Sequence, residues 1–252
     1  MNQHPAQERP LMDICLLAGR IMLQNGAETY RVEDTMIRMA NARGVDAQSF
    51  VTPTGIIFSI DGEDKTRLIR VSERAIDLQK ITRVNTVSRA FCSDQLSIEE
   101  AHQKLTEIAA SRHAYPIWLQ IVTAALASGC FLIMFNGPWS DFASAFVCGA
   151  IGFSCALYFH RLTRFKFFAE FLAALALGLA SFVLVHIGAG QSQSTIIIGS
   201  VMPLVPGVLI TNAVRDLMAG HLVSGMSKGI EALLTALAIG GGIAASLFLI
   251  AS

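Results

Sequence analysis

The amino-acid sequence predicts a membrane protein with two parts, a soluble α+β domain over residues 1–115 and a bundle of five transmembrane helices over residues 116–252. Three observations predict this fold class: the uneven distribution of charge, the length of the apolar segments, and the mixed helix and strand pattern of the first part. After residue 113 the chain contains only five of its 19 Lys and Arg residues and four of its 19 Asp and Glu residues. A water-soluble domain needs a polar surface, so the second part is expected in a bilayer.

The first part begins with the pattern of a helical hairpin. Apolar residues between Leu11 and Met22 recur at i, i+3, i+4 and i+7, and Gly26 stands where that helix would end. A second amphipathic helix is predicted from about Glu28 to Ala42. Two short helices connected in this way pack side by side.

A small three-stranded antiparallel sheet is predicted next, followed by two further helices. The strands are runs rich in β-branched and aromatic residues, at residues 48–52, 55–60 and 66–71, with a turn at Asp61-Gly62. The two helices are predicted near residues 75–91 and after Ser97, which forms a capping box with Glu100. Neither a phosphate-binding glycine loop nor a nucleophile elbow occurs in this part, so no enzyme activity is expected.

Five segments have the length of about 17–25 residues that a helix needs to cross the hydrocarbon core. They lie near residues 117–135, 142–159, 167–187, 195–214 and 230–251. Each is nearly free of charge and none shows a polar face, which argues against a water-soluble helical core.

The linkers between these segments predict the orientation, because Lys and Arg favour the cytoplasmic side. The linker 160–166 and the stretch after the fourth segment contain basic residues, whereas the linkers 136–141 and 188–194 contain none. The basic residues are Arg161, Arg164, Lys166, Arg215 and Lys228. We therefore expect the N-terminal domain in the cytoplasm and the C-terminus outside; the polar first ten residues show no signal peptide.

Composition excludes several other classes of protein. The net charge is zero, so no nucleic-acid surface is indicated. The five cysteines, Cys15, Cys92, Cys130, Cys148 and Cys155, form no CxxC pair, and we interpret them as small buried apolar residues without disulfides or metal. No cofactor is expected.

The fourth segment contains an unusual interruption. Pro203 and Pro206 remove two backbone donors, and Gly207 beside them allows the chain to bend or unwind. Broken helices of this kind form the substrate sites of many secondary transporters. A simple packing kink is the other interpretation, and the break alone does not decide between them.

Polar residues follow the break within a few helical turns and favour the transporter interpretation. They are Thr211, Asn212, Arg215, Asp216 and His221. The guanidinium of Arg215 is suited to bind a carboxylate, although Arg215 and Asp216 are also typical interfacial anchors. Glu170 and Glu231, near the starts of the third and fifth segments, are candidates for ion coupling or, alternatively, for snorkelling to water.

A second group of polar residues lies at the start of the second predicted helix. Glu28, Arg31 and Glu33 follow Gly26 closely. They are compatible with a ligand site, but carboxylates at a helix start also complement the helix dipole, and that plainer interpretation is favoured.

Three stretches together resemble the threonine/serine exporter family over nearly the whole chain. They are Ala18-Gly19 with Asn25-Gly26-Ala27-Glu28 and Arg31-Val32-Glu33, the Pro203-Leu-Val-Pro206-Gly207 break, and Asn212, Arg215-Asp216, Gly220-His221 and Ser224-Gly225. The resemblance implies a bacterial inner-membrane exporter of small amino acids or, in a split branch, of succinate. It also implies that Pro203, Pro206, Gly207, Asn212, Arg215 and Asp216 matter for transport.

The number of segments points to the split branch of that family. Fused members have many more spans than the five predicted here, so the chain is similar to the large subunit that works with a separate small membrane subunit. The leading hypothesis is a secondary exporter of a small carboxylate, succinate or a threonine-like amino acid. A membrane-anchored sensor or hydrolase that acts through its cytoplasmic domain is the alternative, and a soluble domain that only gates or assembles the transporter is a third possibility.

Overall fold

The computed structural model describes residues 5–60, 66–111, 115–162 and 166–251. The predicted turn at Asp61-Gly62 and the basic residue Arg164 lie outside these ranges. The chain forms two compact units, one of Met1–Arg112 with Val208–Ile230 and one of His113–Gly207 with Glu231–Ser252. The assignment of residues 1–115 to water and 116–252 to a bilayer stays a prediction.

The described part of the chain is mostly helical, with one small sheet. The elements are α1 (Pro5–Gln24), α2 (Thr29–Asn41), β1 (Ala47–Thr52), β2 (Gly55–Ile60), β3 (Thr66–Arg70), α3 (Leu78–Cys92), α4 (Ile98–Ala110), α5 (Ile117–Met134), α6 (Phe142–Leu162), α7 (Lys166–His186), α8 (Gln193–Val201), α9 (Gly207–Met218) and α10 (Leu222–Ala251). Short 3₁₀ turns at Trp139–Asp141 and Met202–Leu204 precede α6 and follow α8.

The predicted α+β arrangement of the first unit is confirmed. The sheet is antiparallel in the order β1-β2-β3, with Val51 opposite Ile56 and Ile57 opposite Leu68. Helix α4 begins with the predicted capping box, in which the Ser97 hydroxyl accepts from the Glu100 N–H and the Glu100 carboxylate accepts from the Ser97 N–H. The apolar faces of the helices and one face of the sheet form a single core.

The second unit contains helices that pack through small residues. An added Cβ at Gly149 would lie 2.0 Å from the Ser128 hydroxyl oxygen, and one at Gly152 would lie 2.9 Å from Leu177. These two glycines therefore allow close helix packing, because any larger residue would meet its neighbour. Asp141, fully buried before α6, accepts hydrogen bonds from the N–H groups of Gln191 and Ser192, which lead into α8.

Within the ranges that the structure describes, four helices are long and apolar enough to cross a membrane: Ile117–Met134, Trp139–Leu162, Lys166–His186 and Leu222–Ile250. The pair Gln193–Leu204 and Gly207–Met218 brings the number to five if it counts as one broken span. The fourth predicted segment is therefore interrupted where the two prolines predict it. Val205 is extended, with φ −66° and ψ 130°, and helix α9 begins anew at Gly207.

Two predictions about the later part of the chain are wrong. Helix α10 begins at Leu222, eight residues before the predicted segment, so Lys228 lies within a helix and not in a linker. Its ammonium can be buried there because a buried carboxylate neutralises it, as described below. Cys130 is exposed on α5 instead of buried, whereas Cys15 and Cys148 are buried and Cys92 and Cys155 are partly buried.

Candidate functional site

The two groups of polar residues that the sequence singles out meet within the first compact unit. One group lies between α1 and the start of α2, and the other on α9 and the start of α10. We call the set the polar cluster. It consists of Gly26, Glu28, Thr29, Arg31, Glu33, Asn212, Arg215, Asp216, His221 and Lys228.

Asp216 is the centre of the polar cluster. Its side chain is fully buried, and one oxygen accepts the backbone N–H of Thr29 at 2.9 Å. The other oxygen accepts the Thr29 hydroxyl at 2.9 Å and the Lys228 ammonium at 2.7 Å. A buried carboxylate is stable only when it is paired and hydrogen-bonded in this way. Asp216 therefore fixes α9 and α10 to the first turn of α2.

Glu28 forms the second centre, directly before α2. Its carboxylate accepts from Arg215 at 2.5 Å through Oε1 and from Arg31 at 3.3 Å through Oε2. Burial alone would raise the pKa of Glu28, but a backbone hydrogen bond and the two guanidinium groups outweigh it, so the pKa lies below its ordinary value of 4.5. At neutral pH the carboxylate is charged and holds both arginines.

Asn212 adds a contact to the backbone of the loop between α1 and α2. Its side-chain amide donates to the carbonyl oxygen of Gly26 at 2.8 Å. Gly26 has a φ of +89°, which residues with a Cβ rarely adopt. The glycine thus ends α1 and turns its carbonyl towards α9.

Glu33 connects the polar cluster to the sheet. It accepts the N–H of Val51 at 2.8 Å, and the Val51 carbonyl accepts the hydroxyl of Ser224 on α10 at 3.2 Å. These bonds satisfy polar groups on the free edge of β1. His221 Nδ1 lies 3.6 Å from Glu33 Oε1. Burial raises the pKa of Glu33 above its ordinary value, and the nearby Asp216 raises it further, against the opposing effects of Val51 and His221.

The other residues predicted from the sequence do not belong to the polar cluster as defined above. Thr211 is exposed on α9, and the prolines belong to the interruption before it. Within the second unit, Glu170 is nearly buried with His160 Nε2 at 3.3 Å, and Lys166 donates to Glu231 at 3.0 Å. Both carboxylates therefore have basic partners, and their role in ion coupling stays a prediction.

Sequence reasoning gave no site role to three residues of this region, Thr29, Lys228 and Ser224, although Ser224 belongs to the family resemblance and Lys228 was counted as a linker charge. Thr29 is the first residue of α2 and completely buried, and Lys228 is buried against Asp216. The signal that was available is the position of Lys228 twelve residues after Asp216, inside an otherwise apolar stretch. A charge in such a stretch requires a partner of opposite charge.

Comparisons with known proteins find transporters that match nearly the whole chain. A family model for threonine/serine exporters matches residues 13–250. The "Probable succinate transporter subunit YjjP" of Klebsiella aerogenes is 26% identical over 93% of this chain and 92% of its own length, and the Escherichia coli protein of that name is 27% identical over 91% of each chain. The "Probable threonine/serine exporter" of Mycobacterium tuberculosis is 24% identical over 95% of this chain but 46% of its own length. No solved structure matches.

Proposed function

The chain belongs to the threonine/serine exporter family, and we propose that it is one subunit of a two-component secondary exporter of a small carboxylate metabolite. The family and the relatives are described as transporters and not as enzymes, and the apolar helices fit a multi-pass membrane protein. Succinate and threonine-like amino acids are the two candidate substrates. The names of the relatives support both.

The two-component arrangement is supported by the extent of the matches. The chain spans nearly the whole length of proteins named as transporter subunits, whereas it spans less than half of the Mycobacterium exporter. Because the first two relatives are named as subunits, we propose that a small membrane subunit of the same family works with this chain. The proposed location is the bacterial inner membrane, with five spans, the N-terminal domain in the cytoplasm and the C-terminus on the outer side, as the basic residues of the linker 160–166 favour.

We propose that the polar cluster gates transport. The hydrogen bonds of the buried Asp216 with Thr29 and Lys228 are the observation that supports this role. Helix α9 follows the Pro203–Gly207 break directly, and its inward residues are bonded to the N-terminal domain and not left free for a substrate. A domain held to the segment after a broken helix is suited to control how that break opens. Substrate binding by Arg215 is the second candidate role, because its side chain is 56% exposed and already holds a carboxylate.

Efflux of labelled compounds tests the proposed function. Vesicles that contain this chain with its small subunit are loaded with radiolabelled succinate or threonine, and we expect saturable efflux of one of them. R215Q should abolish that efflux because Glu28 then loses its closest cationic partner. The matched control is R67Q, which removes an arginine from the exposed pair with Asp13 and should leave efflux unchanged. The absence of saturable efflux of both compounds would contradict the proposal.

A further inference from the structure

A cavity of about 120 Å³ lies in the first unit between α2 and α3, and its lining shares Arg31 with the polar cluster. Residues on one stripe of each helix line it. Arg31, Thr35 and Arg38 occupy positions i, i+4 and i+7 of α2, and Asn85, Ser88 and Arg89 occupy positions i, i+3 and i+4 of α3. The spacing turns all six side chains towards the same space.

The lining has the composition of an anion site. Two nearly buried hydroxyl-bearing residues, Thr35 and Ser88, lie deep in the cavity, and the arginines stand nearer the solvent. Arg31 and Arg38 are each bound to a carboxylate of this chain, Glu28 and Asp34. Arg89 makes no ion pair with any residue that the structure describes. Guanidinium groups around hydroxyl and amide donors match the oxygen atoms of carboxylates and phosphates.

We propose that this cavity binds a small oxyanion of carboxylate or phosphate chemistry, which competes with Glu28 for Arg31. A cavity of this size and lining suits a small oxyanion. The site is built without the transmembrane helices, and no relative's name assigns it.

The shared arginine links this cavity to the polar cluster. Arg31 Nη1 contacts Glu28 Oε2, and Arg215 Nη1 contacts Glu28 Oε1. An anion that draws Arg31 away changes the charge balance at Glu28, and therefore the strength with which Arg215 on α9 is held. The linkage is reciprocal: whatever changes Glu28 changes the affinity of the anion. Through this linkage the anion would regulate export from the cytoplasmic side, and that role rests on the proposed function. The binding of the anion to the cavity does not rest on it.

Protection of Cys92 from alkylation measures binding directly, because this partly buried thiol also lines the cavity. The full-length chain is treated with N-ethylmaleimide at alkaline pH, since burial raises the pKa of the Cys92 thiol. Modification of each cysteine is quantified by mass spectrometry in the presence of succinate, phosphate or chloride at equal ionic strength. We expect saturable protection of Cys92 by succinate or phosphate and no protection of the exposed Cys130.

Variants make the test specific to the cavity. R89Q should lower the affinity for the anion about tenfold or more, which is the expected effect of losing one charged hydrogen bond. R83Q on the same helix lies outside the lining and should behave as wild type. E28Q should tighten binding because it removes the competing carboxylate.

Two results would overturn the proposal. The first is no protection by either oxyanion, or equal protection by chloride. The second is equal loss of protection in R83Q and R89Q, which would indicate a general charge effect. Because no transport is measured, a failure here is distinct from a failure of the efflux experiment.

Discussion

Replacing Asp216 by asparagine should destabilise the first unit and abolish export. The substitution leaves the Lys228 ammonium buried without a counter-charge and turns one of the two acceptor oxygens into a donor that faces Thr29 and Lys228. Breaking one partner of a buried ion pair costs about 3–5 kcal/mol. The thermal melting midpoint of the purified protein and the efflux rate should both fall. The expected loss is larger than for any single exposed charge in this unit.

A matched control separates burial from charge in this experiment. D13N removes the exposed ion pair with Arg67 and should cost no more than about 1 kcal/mol. The double variant D216N/K228M should recover part of the stability, because it removes the unpaired charge as well. Equal melting midpoints for D216N and D13N would show that the Asp216 network is not important for stability.

Replacing Gly242 by alanine should disrupt the second unit. An added Cβ would lie 2.3 Å from the backbone carbonyl oxygen of Phe171 and 2.9 Å from the Cβ of Ala174. Backbone atoms within a helix cannot move aside cheaply, so α7 and α10 must separate, at a cost of about 1–3 kcal/mol. The melting midpoint and the yield of folded protein in detergent should decrease.

Gly240 and Gly241 provide the control, because a Cβ added at each of the three glycines would meet different neighbours. A Cβ at Gly240 would meet nothing within 4 Å, and one at Gly241 would make ordinary contacts at 3.7 Å with the Phe171 ring. G240A and G241A should therefore be neutral or slightly stabilising, since alanine is the better helix former. A destabilisation by G240A as large as that by G242A would contradict this packing. Gly242 is thus the glycine of these three that allows close packing against α7.

The elements of the first unit could be predicted because each depends on local signals. Helical spacing, the positive-φ glycines and the Ser97–Glu100 capping box act over a few residues, and the structure confirms them. The break before α9 is equally local, because proline lacks the backbone donor that a helix needs.

The polar cluster could not be predicted because its bonds join residues far apart in sequence. Glu28 and Arg215, and likewise Thr29 and Asp216, are 187 positions apart. From sequence alone Glu28 is a typical helix-start carboxylate, and Lys228 is a basic residue of the stretch between the fourth and fifth segments. Both interpretations assume that a charged side chain faces water. The ion pair with Asp216 makes this assumption wrong for Lys228, because it allows the ammonium to be buried.

The central claim is that Arg215 gates export by binding the N-terminal domain. The most direct test is to exchange the charges of Glu28 and Arg215 and to measure efflux. Efflux is compared for E28R, R215E and the double variant E28R/R215E, each with the small subunit. We predict that both single variants lose efflux and that the double variant regains a substantial part of it, because the opposite charges again face each other. A double variant as inactive as R215E alone would contradict the gating role and would favour direct binding of the substrate carboxylate by Arg215.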